Sequence, residues 1–275
     1  MRSFSYILLI LLVLLASCSE FDKLMKSSDY DLKKAKAREY FEAGKYARAT
    51  ELLAQLLPRF RGTEEAEDLN WMNAQSFYLM KDYYSAGAYF KGYTDQYPFG
   101  KYTEEAYFMG AFCDYKISPR AALDQENTRN AIEGFNIFMN RYPYSSRIEE
   151  CKTYLREIEE RLVEKSYLSA KLYYDMKEYK AAVTALTNSL RLHSSSRYRE
   201  EMMFLKLNSL YMYAENSFAF RQKERFQATL DDYYSFMEEF PDSKYGKDVR
   251  RIFQKTNEYL KTGTTEAAES VANNQ

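Results

Sequence analysis

One short phrase recurs five times along the chain, each time ahead of a helical pattern. Its copies begin at Pro58, Pro98, Pro143, Ser194 and Pro241, so the steps between them are 40, 45, 51 and 47 residues. Repeats of this length are typical of solenoids, in which stacked helix pairs bury a continuous core. With only 9 glycines and 5 prolines, the composition disfavours turn-rich β folds and agrees with packed helices.

A second phrase lies between copies of the first: AGKYARATELL from residue 43, MKDYYSAGAYF from residue 80 and MKEYKAAVTAL from residue 176. An aromatic residue, a small residue three positions on and a large apolar residue four further resemble the tetratricopeptide (TPR) unit. The matching positions are Tyr46, Ala49, Leu53; Tyr83, Ala86, Phe90; Ala131, Phe135; and Tyr179, Ala182, Leu186. Antiparallel helices approach closely where one presents a small residue and the other fills the gap. The predicted fold class is therefore all-α, a TPR-like superhelical solenoid of about five helix-turn-helix repeats.

The first phrase punctuates these units. Proline lacks an N–H and clashes with the preceding turn, so it is expected to stop the second helix of each pair. The acidic pairs that follow, at 104–105, 149–150 and 200–201, favour the positive end of the next helix. Paired carboxylates also serve in acid–base catalysis, but recurrence at successive helix starts favours the capping interpretation.

Two irregularities divide the chain. Residues 117–131 form a predicted extended loop inside the third repeat, and residues 148–176 form one long helix without glycine or proline. We therefore predict an N-terminal block of repeats 1–3 at 31–147, and a long linking helix with repeats 4–5 at 148–262. Residues 263–275 lack an apolar period and are predicted to be a disordered tail.

The N-terminus has the pattern of an export signal. An apolar run at 6–16 is too short to span a bilayer and leads to Leu15-Ala16-Ser17-Cys18. This sequence resembles the bacterial lipobox, which implies that residues 1–17 are a lipoprotein signal peptide and that acyl chains such as palmitate are attached to Cys18. Residues 18–30 are then a lipidated linker, and Ser19 favours the outer membrane. An ordinary signal peptide with a chance cysteine is the alternative.

The sequence offers little for catalysis. The 39 basic and 40 acidic side chains nearly balance, which argues against nucleic-acid binding because that needs a basic face. The single histidine, His193, lies in a polar turn, and no metal-ligand spacing, phosphate loop or nucleophile motif is present. No enzyme activity, metal or cofactor is predicted. Cys113 and Cys151 are predicted to be unpaired, because they fall about two turns apart on neighbouring helices.

Nearly the whole mature chain resembles the BamD (YfiO) family of outer membrane protein assembly lipoproteins. The resemblance is most specific at LDQENTRNAIEGFNIFMNRYPYS (residues 123–145) and ERLVEKSYLSAKLYYDMKEYKAAV (residues 160–183). It implies a non-enzymatic scaffold of the β-barrel assembly (BAM) machinery, lipid-anchored on the periplasmic side of the outer membrane. The implied partners are a BamA-like barrel-forming subunit, bound through the C-terminal repeats, and unfolded outer membrane proteins, captured by the N-terminal repeats.

The TPR register predicts which side chains face the inner groove of the N-terminal block. These candidate peptide-binding residues on the first helix of each pair are Arg38, Phe41, Trp71, Gln75, Tyr78 and Tyr107. Their mixture of aromatic area and hydrogen-bonding groups suits an extended peptide.

Two other functions remain open from sequence. The chain is also compatible with a TPR scaffold lipoprotein of another cell-envelope complex, and co-purifying partners distinguish that function from assembly of outer membrane proteins. A carbohydrate-uptake lipoprotein would carry a large non-TPR insertion, and no gap between the repeats is long enough for one.

Overall fold

The computed structural model describes residues 20–272, with side chains as far as residue 262. Every regular element in this part of the chain is an α-helix, which confirms the predicted all-α, TPR-like solenoid. The predicted signal peptide and Cys18 lie outside the described residues. Within residues 20–272, no helical stretch combines the length and hydropathy of a membrane-crossing segment.

A short helical segment at residues 20–26 precedes the helices of the repeats. These are α1 (Tyr30–Glu42), α2 (Tyr46–Phe60), α3 (Ala66–Leu79), α4 (Tyr83–Gln96), α5 (Thr103–Ile117), α6 (Glu126–Arg141), α7 (Ile148–Asp175), α8 (Tyr179–Leu192), α9 (Arg199–Glu215), α10 (Ala219–Glu239) and α11 (Gly246–Ala272). Three-residue turns join α1 to α2, α3 to α4 and α7 to α8. The middle residue of each turn, Gly44, Lys81 or Lys177, has a left-handed backbone with φ of 62–71°.

The small residues of the TPR pattern lie where helices touch. Ala49, Ala86, Ala131 and Ala182 are completely buried, and so are the large apolar partners Leu53, Phe90, Phe135 and Leu186. Complete burial of an alanine on a helix leaves no room for a larger side chain, because interiors are close-packed. The register that the sequence predicts for these positions is therefore the observed one.

The first phrase also holds successive repeats together. Tyr102 stacks on Trp71 with ring centroids 4.6 Å apart, Tyr198 stacks on Tyr167 at 4.3 Å, and Tyr245 stacks on Phe204 at 4.2 Å. In each case the tyrosine precedes one repeat, and its partner ring (Trp71, Tyr167 or Phe204) lies on the first helix of the preceding repeat.

A cation lies close to the ring of each of these three tyrosines. Lys101, Arg197 and Lys244 directly precede them and lie 4.7–4.9 Å from the ring centroids. We call each cation–tyrosine–ring stack a repeat latch. In the third copy of the phrase, which begins at Pro143, Arg147 stands where the other copies have tyrosine, and its guanidinium lies 4.1 Å from the Phe108 ring.

Two predicted boundaries differ from the structure. Pro58 does not stop its helix, since α2 continues to Phe60, whereas Pro98, Pro143 and Pro241 each follow a helix end. Burial of Leu52, Leu53 and Leu56 along one face keeps α2 helical past the proline. The predicted loop 117–131 is shorter, because α6 begins at Glu126 and leaves only residues 118–125 outside helices.

The described chain forms two compact units. The first extends to Pro119 and includes Gln125–Ile158; the second comprises Arg120–Asp124 and the chain from Glu159. Their boundary falls inside α7, which begins at the predicted Ile148 and ends at Asp175. The predicted blocks instead divide at 147/148. Helix α11 continues to Ala272, past the predicted start of a tail at 263, because this stretch is rich in alanine and glutamate.

Each unit has its own apolar core. In the first unit, one cluster centres on Leu52, Leu53 and Leu69, and a larger one contains Phe90, Phe108, Phe135, Phe138 and Ile158. In the second unit, Tyr167, Leu186 and Met202 form one cluster, and Leu207, Phe236 and Val249 belong to another.

The two cysteines of the described chain are both unpaired and completely buried. Burial raises the pKa of the Cys113 thiol to about 12 and that of Cys151 to about 11. Both therefore remain protonated at neutral pH and act as small apolar residues.

Candidate functional site

The six predicted groove residues lie on the first helix of the first three repeats, but in different surroundings. Arg38 is exposed on α1, and Phe41 is half-buried with its ring edge against Tyr46 at 5.6 Å. Gln75 is half-buried in the middle of α3. These three positions leave side chains partly accessible to a ligand.

Trp71 packs inside the first unit. Its ring contacts Phe90 at 5.4 Å and Tyr93 at 5.8 Å, besides stacking on Tyr102 in the repeat latch. The indole faces are thus occupied by neighbouring rings, so Trp71 joins repeats two and three and offers little free surface to a peptide.

Tyr78 belongs to a row of half-buried rings on the first helices. It contacts Tyr83 at 5.6 Å and Phe112 on α5 at 6.4 Å. Phe112 in turn contacts Tyr115 and Tyr154, and the last two rings are 4.5 Å apart. We call Tyr78, Phe112, Tyr115 and Tyr154 the aromatic row.

The aromatic row combines apolar faces with hydrogen-bonding edges. Burial raises the pKa of Tyr78 and raises that of Tyr154 to about 12, with the hydrogen bond to Glu150 adding to the latter. The Tyr115 hydroxyl donates to Glu157 at 2.6 Å and the Tyr154 hydroxyl to Glu150 at 2.8 Å. A surface of this composition has the chemistry to contact aromatic or aliphatic side chains of an extended peptide.

Tyr107 does not belong to this row. Its ring lies against Tyr142 at 6.1 Å and beneath Arg141 at 5.0 Å, on a different face of α5. Counting from the helix starts at Ala66 and Thr103, Trp71 corresponds to Phe108. Tyr107 is therefore one residue, or about 100° of helix rotation, away from the position on α5 that matches Trp71 on α3.

Sequence analysis missed Phe112, Tyr115 and Tyr154. The signal was present, since Phe108, Phe112 and Tyr115 follow helical spacing on one face of α5. It was masked because aromatic residues also occur on the other faces of the same helix.

The acidic pairs at the helix starts connect neighbouring parts of the chain. Glu105 accepts two hydrogen bonds from the Arg147 guanidinium, at 2.6 and 2.9 Å. Glu200 accepts from Ser243 at 2.7 Å and Glu201 from the Tyr167 hydroxyl at 2.7 Å. These are structural ties, and none is a pair of facing catalytic carboxylates. No group of possible metal ligands occurs within the described residues.

A cavity of about 750 Å³ opens between α4, α5 and α6 in the first unit. It is walled by the second helices of repeats two and three and floored by α5, so it differs from the groove that TPR units form with their first helices. Its lining includes Tyr84, Gly87, Ala88, Lys91, Asp95, Tyr107, Gly110, Asp114, Asn127, Asn130, Glu133 and Ile137. Of the predicted groove residues, only Tyr107 lines it.

Comparison with known proteins gives one family. The model of the family described as YfiO, outer membrane lipoprotein, matches residues 31–184 and 166–269. No curated protein sequence matches the chain.

Two solved structures are similar at low identity. The TPR domain of P58(IPK) is 14% identical with a TM-score of 0.40, over 88% of this chain and 68% of that chain. The TPR2AB domain of yeast Sti1, from a complex with pHSP90, is 12% identical with a TM-score of 0.37, over 84% of this chain and 99% of that chain.

Proposed function

Because the chain belongs to the YfiO family of outer membrane lipoproteins, we propose that it is a scaffold and substrate-recognition subunit of the β-barrel assembly machinery. In this function a lipid on Cys18 holds the protein on the periplasmic side of the outer membrane. The chain is a non-enzymatic interaction protein, as this family is. The family match supports the proposal because it spans the helices of both units.

The first unit supplies the substrate-binding surface of the proposal. The aromatic row presents partly accessible rings beside carboxylates and the cation of Lys116, which lies 5.7 Å from the rings of both Tyr83 and Phe112. An unfolded outer membrane protein offers extended segments with alternating apolar side chains. Rings of this kind are the usual anchors of a peptide interface.

The second unit supplies the contact with the barrel-forming subunit. At the turn between α9 and α10, Phe218 and Phe220 are 79% and 78% exposed and stack on each other at 6.0 Å. Arg221 follows them at the surface, 5.8 Å from the Phe220 ring. Exposed aromatics beside arginine are characteristic of protein interfaces.

Affinity purification of the lipidated protein from detergent-solubilised envelopes tests the proposal. A BamA-like barrel-forming subunit is the expected partner, and it should disappear from a purification of a Phe218→Ala/Phe220→Ala variant. A Tyr144→Ala variant is the control, because Tyr144 is 99% exposed but lies in the first unit.

Recovery of a different envelope complex, without a barrel-forming subunit, would contradict the proposal. It would assign the protein to the alternative function, a TPR scaffold lipoprotein of that other complex.

A further inference from the structure

The cavity between α4, α5 and α6 has no role in the proposed function. Its volume of about 750 Å³ is in the range of about 300–1,000 Å³ that binding clefts occupy.

The lining carries an excess of negative charge. The lining contains four acidic residues, Asp95, Asp114, Glu126 and Glu133, and one basic residue, Lys91. Asp114 is half-buried and makes no hydrogen bond or ion pair within the described residues, and its pKa is raised by burial and lowered only by Lys91. An unpaired carboxylate in this setting is stabilised by an incoming cation.

The floor of the cavity has a glycine that helix packing does not require. A Cβ on Gly134 would meet that of Ala111 at 2.8 Å, so this glycine permits contact between α5 and α6. On Gly110 a Cβ would meet nothing closer than Phe90 at 3.9 Å, an ordinary contact. Glycine inside a helix destabilises it relative to alanine. Its effect at position 110 is to keep the floor open and the backbone accessible.

The walls supply groups that suit a peptide. The carboxamides of Asn127 and Asn130 on α6 can each donate to a peptide carbonyl and accept from a peptide N–H. Tyr84 and Ile137 add apolar surface, with 78% and 45% of their area exposed.

We infer that this cavity binds a short extended peptide segment that carries lysine or arginine side chains. The carboxylates receive the cations, the two asparagines hold the peptide backbone, and the bare surface at Gly110 lets the backbone approach α5. This site lies apart from the aromatic row and does not depend on the partner proposed above.

Fluorescence anisotropy with the full lipidated chain in detergent tests the inference. The probe is a labelled six-residue peptide of alternating alanine and lysine, with an alanine–glutamate peptide as its charge-reversed control. The lysine peptide should bind and weaken with added salt, because the attraction is screened. The glutamate peptide should not bind.

Two pairs of variants locate the site. Gly110→Leu fills the floor and should weaken binding at least tenfold, whereas Gly92→Leu should not, since Gly92 lies in α4 outside the cavity with nothing within 4 Å of its Cβ position. Asp114→Asn keeps the side-chain shape and should weaken binding about fivefold, whereas the exposed Glu51→Gln should leave it unchanged.

Wild-type affinity in Asp114→Asn, or in a Gly110→Leu variant with wild-type melting temperature, would overturn the inference. So would binding of the glutamate peptide. Spermine that displaces the peptide at equal concentration would show a site for small polycations and would overturn the assignment to a peptide. If Gly110→Leu fails to fold, the Asp114→Asn result alone decides.

Discussion

At the scale of single residues, the tightest constraint falls on the small side chains at helix contacts. Ala86 and Ala182 are completely buried, whereas Ala88, two residues along α4, is exposed. We therefore expect a larger side chain to be tolerated at position 88 but not at position 86 of the same helix.

We expect Ala86→Leu to lower the free energy of unfolding by roughly 1–3 kcal/mol, because three extra carbon atoms must displace neighbours in a close-packed contact. Urea denaturation checks this, with Ala88→Leu as the control on the same helix. Equal stability of the two variants would show that α4 does not pack as described.

A surface carboxylate links repeat two to the turn before repeat three. Asp68 accepts from Lys101 at 2.5 Å and from the Tyr102 hydroxyl at 3.1 Å, and the Lys101 hydrogen bond is the main reason that its pKa is lowered. A lowered carboxyl pKa contributes stability above about pH 4, where the unfolded group is ionised, and this is lost as pH falls through the folded pKa.

We therefore expect Asp68→Asn to reduce stability at pH 7 by about 1 kcal/mol or less, since the pair is partly exposed. The difference from wild type should shrink as pH falls below about 4. Urea denaturation at pH 7, 4 and 3 measures it, and Glu64→Gln, which replaces an exposed acid nearby, should show no such trend. A difference that grows on acidification would refute the assigned sign.

At the scale of helices and turns, the repeat latch explains why lysine or arginine precedes tyrosine ahead of three helices. The tyrosine stacks on a ring and has a cation beside it, and the ring stack joins the turn to the preceding repeat. Tyr144, in the corresponding phrase of the third repeat, is 99% exposed and makes no such stack.

We expect Tyr245→Leu to destabilise the second unit by about 1–2 kcal/mol, from the lost ring stack and cation contact. Tyr245→Phe keeps the ring and should restore most of that loss, whereas Tyr144→Leu should be nearly neutral. Thermal denaturation of the three variants tests the latch. Loss of the same stability in Tyr245→Phe as in Tyr245→Leu would assign the effect to the hydroxyl group instead.

At the scale of the whole molecule, the proposed function requires a lipid on Cys18 to attach the protein to the membrane. We expect Cys18→Ala to release the protein from membranes, because it removes the thiol to which the predicted lipid is attached. Cell fractionation after a high-salt wash, in a strain without the partner proteins, measures the effect. Cys113→Ala, which changes a buried thiol, should remain attached, and membrane retention of Cys18→Ala would refute the lipid anchor.

Substitutions in the two units are expected to weaken different interactions. Tyr78→Ala in the aromatic row should weaken binding of a peptide that copies the last strand of a barrel protein, by about 2 kcal/mol if the ring is an anchor. It should leave co-purification of the barrel-forming subunit intact. Trp71→Ala is a poorer test, because its ring stacks on Tyr102 and its loss disturbs folding.

Anisotropy with that strand peptide and co-purification from the same preparation give the two readouts. A Tyr78→Ala variant that keeps its peptide affinity and loses the barrel-forming subunit would reverse the assignment of the two units.

The sequence by itself determined the helical repeats, the alanine contacts and the long helix at α7. These features follow from spacing along the chain, since Ala86 and Phe90, four residues apart, must share one helix face. The recurring phrase likewise marked each repeat by its spacing along the chain.

Only the tertiary structure decided which faces of the helices remain free. Trp71 and Tyr107 are both aromatic residues on first helices of the repeats. The Trp71 ring stacks on Tyr102, whereas Tyr107 lines a cavity beside α6. The cavity itself depends on the separation of α4 and α6 across α5, and Asp114 lacks a partner because of where neighbouring helices lie. Such distances join residues far apart along the chain, so a local pattern of side chains does not encode them.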